Sequence, residues 1–239
     1  MKKKISFIIG SGVSRYSGVP STEDITNQIL TDENVFRHTD GSYNFNNHSN
    51  ELNDAYLKAI IPFLNLLKEE INSYFSNHCS RTVNYEDIYY MASQIYDAES
   101  GEYDNPSVQP LIDKILPFIK SKLVHIPYLD DLSWPIDRIC EESMNYIRDT
   151  VWYMLSRQPT RIDQFDFLKD CVESGEFANI DIFTLNHDTI IEQYLNDKNI
   201  SFVDGFSEKN NNLRTWNPEL YNDTPEDVPR LFKLHGSVN

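Results

Sequence analysis

The sequence predicts an α/β fold in which a parallel-sheet core is interrupted by a large helical insertion. A short β-branched apolar run, Ile5 to Ile9, ends in Gly10-Ser11-Gly12, as a buried parallel strand does before a tight turn. A strand-helix-strand pattern returns near the end of the chain. Between them, from Leu52 to Gly175, apolar residues recur at three- and four-residue spacing, which is typical of amphipathic helices.

The segments after the glycine turn predict a capped helix and then a loop. Ser21 precedes Thr22, Glu23 and Asp24, and acidic side chains in a first turn favour a helix start. From about Asp32 to Asn50 the chain is polar, Asn-rich and poor in aliphatic residues. That stretch is interpreted either as a mobile loop or as a lid that covers a ligand.

The insertion, about 51–175, is predicted to contain five helices. Their apolar faces run from Leu52 to Tyr74, Ile88 to Ile95, Leu111 to Leu123, Ile136 to Met154 and Phe165 to Val172. Asn84 is a candidate N-cap of the second helix, and Pro117 predicts a kink in the third. Gly175 is a candidate C-cap of the fifth.

Strand character in the last sixty or so residues predicts the rest of the sheet. The predicted elements are a strand at Ile180 to Thr184, a helix at about Asp188 to Asn196, a strand at Ile200 to Val203 and a strand at Arg230 to Leu234. Ligands of open parallel sheets bind in the loops that follow the carboxyl ends of the strands. Chemistry is therefore expected in those loops.

The charge, the cysteines and the apolar segments of the chain disfavour several classes of protein. The 21 Lys+Arg and 37 Asp+Glu residues give a net charge of −16, which disfavours direct binding to nucleic acid. Cys79, Cys140 and Cys171 form no Cys-x-x-Cys pair, so neither a disulfide framework nor a metal site is predicted. The apolar part of the start is too short for a signal peptide and no stretch spans a bilayer, so a cytoplasmic protein without membrane contact is expected.

Three motifs follow predicted strands. They are Gly10-Ser11-Gly12-Val13-Ser14 with Gly18-Val19-Pro20, then Thr184-Leu185-Asn186-His187-Asp188, and finally Leu234-His235-Gly236-Ser237. Alone, the first is a weak signal, because two glycines also suit a structural tight turn. In this order, however, the three motifs resemble the signatures of the sirtuin family.

The resemblance implies a Rossmann-like sheet that binds nicotinamide adenine dinucleotide (NAD), with core segments 1–31 and 176–239. The helical insertion is similar to that of prokaryotic sirtuin-like domains of anti-phage defence, which hydrolyse NAD to nicotinamide and ADP-ribose. Sirtuin-like sheets continue beyond the His-Gly motif, whereas this sequence stops at Asn239. We therefore expect a C-terminally truncated sheet and a longer parent protein.

The resemblance also assigns residues. The expected catalytic residues are Asn186 and His235. The expected NAD-binding residues are Gly10, Ser11, Gly12, Ser14, Pro20, Thr184, Asp188, Gly236 and Ser237. Alternatives remain for several: Asp188 and Ser14 as helix caps, Asn186 as a turn residue, and His235 as a buried, satisfied histidine. His187 occupies a variable position of the motif and is interpreted as incidental.

The expected function is NAD+ glycohydrolysis by the toxic effector of a bacterial anti-phage system. NAD is then a substrate, and the expected partners are further copies of the chain, a phage-sensing protein or a C-terminal sensor domain. A non-catalytic module that senses NAD or ADP-ribose is the alternative. Lysine deacylation is a third hypothesis, disfavoured because three cysteines cannot form the four-cysteine ribbon of such enzymes.

Overall fold

The computed structural model describes residues 2–31, 33–45, 54–78, 80–102, 105–126, 134–207 and 214–237. The predictions at Asp32, residues 46–53, Cys79 and Asn239 lie outside these ranges. The chain divides into two compact units. One comprises Met1–Ser21 and Leu155–Asn239, and the other comprises Thr22–Met154.

The described residues combine a three-stranded parallel sheet with α-helices, so the predicted α/β class is confirmed. The strands are β1 (Lys3–Ile9), β2 (Phe36–Arg37), β3 (Tyr43–Asn44), β4 (Phe177–Thr184) and β5 (Arg230–Lys233). The helices are α1 (Ser11–Arg15), α2 (Thr22–Ile29), α3 (Asp54–His78), α4 (Tyr85–Ser100), α5 (Gln109–Leu123), α6 (Ile136–Leu155), α7 (Asp166–Glu173) and α8 (Ile190–Asp197). Short 3-10 turns occupy Asp163–Phe165 and Pro218–Tyr221.

The first unit is built on a parallel three-stranded sheet in the order β1-β4-β5. The side chains of β4 alternate between buried and half-buried, and Ala178, Ile180 and Ile182 lie on its buried face. The α7 helix packs on the sheet, with the rings of Phe7 and Phe167 5.0 Å apart. The sheet therefore buries one face of β4 in the core of the unit.

The prediction of a strand at Ile200 to Val203 is wrong. Only an isolated parallel bridge joins Val203 to Arg230. Directly after Val203, the Asp204 carboxylate accepts two hydrogen bonds from the Arg214 guanidinium, at 2.7 and 2.8 Å, and Gly205 has a φ of +77°. The ion pair and the left-handed turn take the chain out of the sheet before a strand can form.

The second unit contains α2 to α6 and the β2-β3 hairpin. The helices predicted from apolar spacing are confirmed in the described residues, and Asn84 forms a capping box with Asp87 at the start of α4. Pro117 lies inside α5, and Pro62 lies inside α3. The helix α2, predicted as part of the core, lies in this unit, whereas α7, predicted as part of the insertion, lies with the sheet.

The loop predicted at Asp32 to Asn50 is instead an anchored hairpin wherever the structure describes it, at residues 33–45. The Arg37 guanidinium donates to both carboxylate oxygens of Glu142, at 3.0 and 3.2 Å. The Tyr43 hydroxyl donates to Glu142 at 2.8 Å, and the Tyr43 amide donates to Asp149 at 2.9 Å. This polar segment thus forms a hairpin because its side chains and backbone bond to the carboxylates of α6.

Glu142→Leu is expected to lower the free energy of unfolding by about 3–5 kcal/mol, because it leaves the mostly buried Arg37 without its anion. The neighbouring carboxylate supplies a matched control. Glu141 is 44% exposed and pairs with the half-exposed Arg138, so Glu141→Leu should cost less than about 1 kcal/mol. Urea denaturation of both variants measures the difference, and equal losses would show that the buried charges do not anchor the hairpin.

Within the described ranges, no helix combines the length and apolar character needed to cross a membrane.

Candidate functional site

The three sequence motifs lie along one edge of the sheet. Ile9 pairs with Thr184, and Thr184 pairs with Lys233, so the three strands end in register. Adjacent strands lie about 4.8 Å apart, which sets the glycine turn and the His235 loop roughly 10 Å apart with the Asn186 loop between them. The sheet register therefore brings the three predicted loops together.

The first loop presents two glycines to open space. Gly10 is extended, with φ −103° and ψ 174°, and a Cβ built at Gly10 or Gly12 would meet no atom of the described residues within 4 Å. By contrast, Gly18 has a φ of +80°, and a Cβ there would lie 2.9 Å from the Thr160 hydroxyl. A structural tight turn accounts for Gly18 but does not account for Gly10 or Gly12.

Two residues missed by the sequence interpretation hold this turn in place. The Gln164 amide donates to the Val13 carbonyl at 3.3 Å and to the Ser17 hydroxyl at 2.5 Å. The Thr160 amide and hydroxyl both donate to the Ser17 carbonyl, at 2.8 and 3.0 Å. No local pattern marks these residues, because their partners are 143 to 151 residues away in the chain.

The second loop contacts the first through Asn186. Its side-chain amide donates to the Ser14 hydroxyl oxygen at 2.8 Å, and the two residues are only 8% and 3% exposed. Ser14 lies inside α1, so its alternative interpretation as a helix cap is wrong. The Asn186 backbone amide donates to the Thr184 hydroxyl oxygen at 3.0 Å, so the buried Thr184 shapes this turn.

Asp188 lies one residue before Thr189, the N-cap of α8. Its carboxylate accepts the Ile190 amide at 3.2 Å, and the residue is 6% exposed. Asp188 is therefore not the N-cap itself, although its carboxylate satisfies the first amide of the helix. The carboxylate fixes where α8 begins, immediately after the loop that carries Asn186.

The third loop carries an exposed histidine. His235 lies beyond the end of β5, so the interpretation as a buried, satisfied histidine is wrong. Its ring centroid is 6.0 Å from that of His187, which makes His187 a neighbour of the predicted catalytic histidine. Gly236 follows with a φ of +88°, which favours glycine at that position.

The other predicted ligand residues vary in exposure. Ser11 is exposed and begins α1, whereas Pro20 and Ser237 are half-buried. Ser11 therefore extends the open surface that begins at Gly10. Every residue predicted to touch NAD lies in the first unit.

The sequence interpretation also missed a buried ion pair between Lys233 and Glu192. The ammonium lies 3.1 Å from the carboxylate, and the two side chains are 3% and 7% exposed. Burial raises the pKa of the Glu192 carboxyl, while the Lys233 ammonium acts in the opposite direction. The available sequence signal was Lys233 itself, two residues after the fully buried Leu231 and hence on the same face of β5.

Two cavities border these loops. One of about 400 Å³ is lined by Ile9, Gly10, Gly12, Val13 and three other residues, so it reaches the glycine turn. Another, of about 540 Å³, is lined by α8 and by residues between Phe202 and Leu220. Neither Asn186 nor His235 lines either cavity, so the smaller cavity adjoins the predicted site only at the glycine turn.

The described residues contain no cluster of three side chains able to ligate a metal ion. Comparison with known families and proteins gives no assignment: no family model matches the chain, and no curated protein matches it.

Proposed function

We propose that this chain is the catalytic part of an NAD+ glycohydrolase with a Rossmann-like core. The reaction cleaves the bond between nicotinamide and ribose, and water supplies the new hydroxyl of ADP-ribose. Support comes from the single sheet edge at which the glycine turn, Asn186 and His235 meet. We further propose that the protein acts in anti-phage defence by depleting NAD.

The observation that carries the proposal is the open space at Gly10 and Gly12. Neither glycine has a left-handed backbone, and neither is crowded by described atoms. A ligand that approaches the backbone closely explains why side chains are absent there. The diphosphate of a dinucleotide is the proposed ligand, because α1 begins at Ser11 directly after β1, and no side chain of its N-cap Gly10 satisfies its first amides.

The chemistry requires modest help from the protein. Nicotinamide leaves as a neutral molecule, so strong acid catalysis is unnecessary, whereas positive charge develops on the ribose. Asn186 is a neutral amide held by Ser14, and it would orient a ribose hydroxyl or the attacking water. His235 is exposed at the neighbouring strand end, and it would accept the proton that water releases.

Incubation of the whole protein with NAD+ tests the proposal. In a reaction to which no acetylated peptide is added, chromatography is expected to show nicotinamide and ADP-ribose in equal amounts. Calorimetric binding of NAD or ADP-ribose without nicotinamide release would support the sensing module instead. Release that occurs only with an acetyl-lysine peptide would support deacylation.

A further inference from the structure

The Lys233 side chain is unusual for its position. It follows Leu231 on the buried face of β5, and only 3% of the side chain is exposed. A buried ammonium is costly unless each of its N–H groups donates to a hydrogen-bond acceptor. The acceptors of the Lys233 ammonium therefore indicate which segments the side chain holds in place.

Two of the three acceptors belong to the loop that carries Asn186. The ammonium donates to the backbone carbonyls of His187, at 3.4 Å, and of Asp188. The third acceptor is the Glu192 carboxylate on α8, at 3.1 Å. One side chain thus ties the end of β5 to the two residues after Asn186 and to the helix that follows.

The same residue lies at the start of the His235 loop. The Leu234 amide donates to the Thr184 carbonyl at 2.9 Å, and the Gly236 amide donates to the Lys233 carbonyl at 3.4 Å. Lys233 is therefore covalently joined to one proposed catalytic loop and hydrogen-bonded to the other. Its ammonium thus links the loop that carries Asn186 to the strand that leads to His235.

We propose that Lys233 is a positioning residue that holds the Asn186 loop in register with His235, with Glu192 as its counter-ion. The catalytic consequence rests on the proposed NAD+ glycohydrolase activity. A displacement of about 1 Å at a catalytic group lowers rates roughly a hundredfold, so Lys233 would influence turnover without touching NAD.

The test compares three proteins, because Lys233→Met alone would leave Glu192 buried without its cation. The double variant Lys233→Met/Glu192→Gln removes both charges and preserves the approximate size of both side chains. Glu192→Gln alone is the matched control, since Lys233 keeps its two carbonyl acceptors and the glutamine amide oxygen can still accept from the ammonium. Thermal unfolding checks that all three proteins fold.

Steady-state kinetics of nicotinamide release give the first readout. The double variant is expected to lose at least tenfold in kcat with KM changed less than about threefold, because the glycine turn still binds the diphosphate. Glu192→Gln should retain kcat within about threefold. A folded double variant with wild-type kcat would overturn the proposal, and so would an equal loss of kcat in both variants.

Amide hydrogen exchange gives a readout that does not depend on activity. Residues 186–190 should exchange at least tenfold faster in the double variant than in Glu192→Gln, because the carbonyls of His187 and Asp188 lose their donor. Unchanged exchange would overturn the positioning role. If the wild-type protein released no nicotinamide, the proposed function would fail, and faster exchange would still support loop positioning by Lys233.

Discussion

Gly12→Ala is expected to reduce nicotinamide release at least a hundredfold while leaving the protein as stable as the wild type. The added methyl group meets no described atom within 4 Å, so the fold can accept it. Because Gly12 lies within α1, alanine there should even raise the free energy of unfolding, by up to about 1 kcal/mol. The loss of activity would come from the methyl group occupying space that the diphosphate needs.

Gly18→Ala is the matched control, and it should show the opposite pattern. Gly18 has a φ of +80°, and a Cβ there would lie 2.9 Å from the Thr160 hydroxyl, so alanine is both strained and crowded. We expect it to lower the free energy of unfolding by more than about 1 kcal/mol. Any fall in activity should then follow the fall in stability.

Calorimetry with NAD and urea denaturation separate the two effects. Gly12→Ala should lower the affinity for NAD and keep or raise the urea midpoint, whereas Gly18→Ala should lower the urea midpoint. A Gly12→Ala protein with wild-type affinity and turnover would remove the main support for a diphosphate at this turn.

The sheet and the order of its loops could be predicted from the sequence because both depend on local signals. The apolar run before Gly10 and the alternation before Asn186 each mark a strand of the sheet. The prediction that the first of these strands is buried is wrong, because β1 lies at the end of the strand order and Ile8 is 91% exposed. Parallel pairing then places the following loops at one edge, as the pairing of Ile9, Thr184 and Lys233 shows. Strand direction places the motifs at one edge, and the strand order β1-β4-β5, which the sequence did not predict, makes them neighbours.

The contacts that fix those loops could not be predicted, because they join distant residues. Gln164 braces the glycine turn across 147 residues, and Arg37 pairs with Glu142 across 105 residues. From one sequence, a polar side chain is predicted to be solvated unless a partner for it lies close by along the chain. The sequence interpretation therefore treated the hairpin segment as a loop and overlooked Lys233.

Asn186→Ala and His235→Ala are each expected to lower kcat for nicotinamide release by about 10² to 10⁴-fold while the protein remains folded. The alanine at Asn186 would remove the amide that orients the ribose or water. The alanine at His235 would remove the proton acceptor, and its exposure implies little cost in stability. Single-turnover chromatography with excess protein measures the chemical step directly.

His187→Ala is the control for His235, since the two rings are 6.0 Å apart and only His235 matches the catalytic motif. It should change kcat less than about threefold, and a loss equal to that of His235→Ala would reassign the proton acceptor.

Ser14→Ala is the control for Asn186, because it deletes their 2.8 Å hydrogen bond and keeps the amide. If Asn186 acts on the ribose or water, Asn186→Ala must lose far more activity than Ser14→Ala. If Asn186 only braces α1, the two variants must lose the same amount, because each removes the same hydrogen bond.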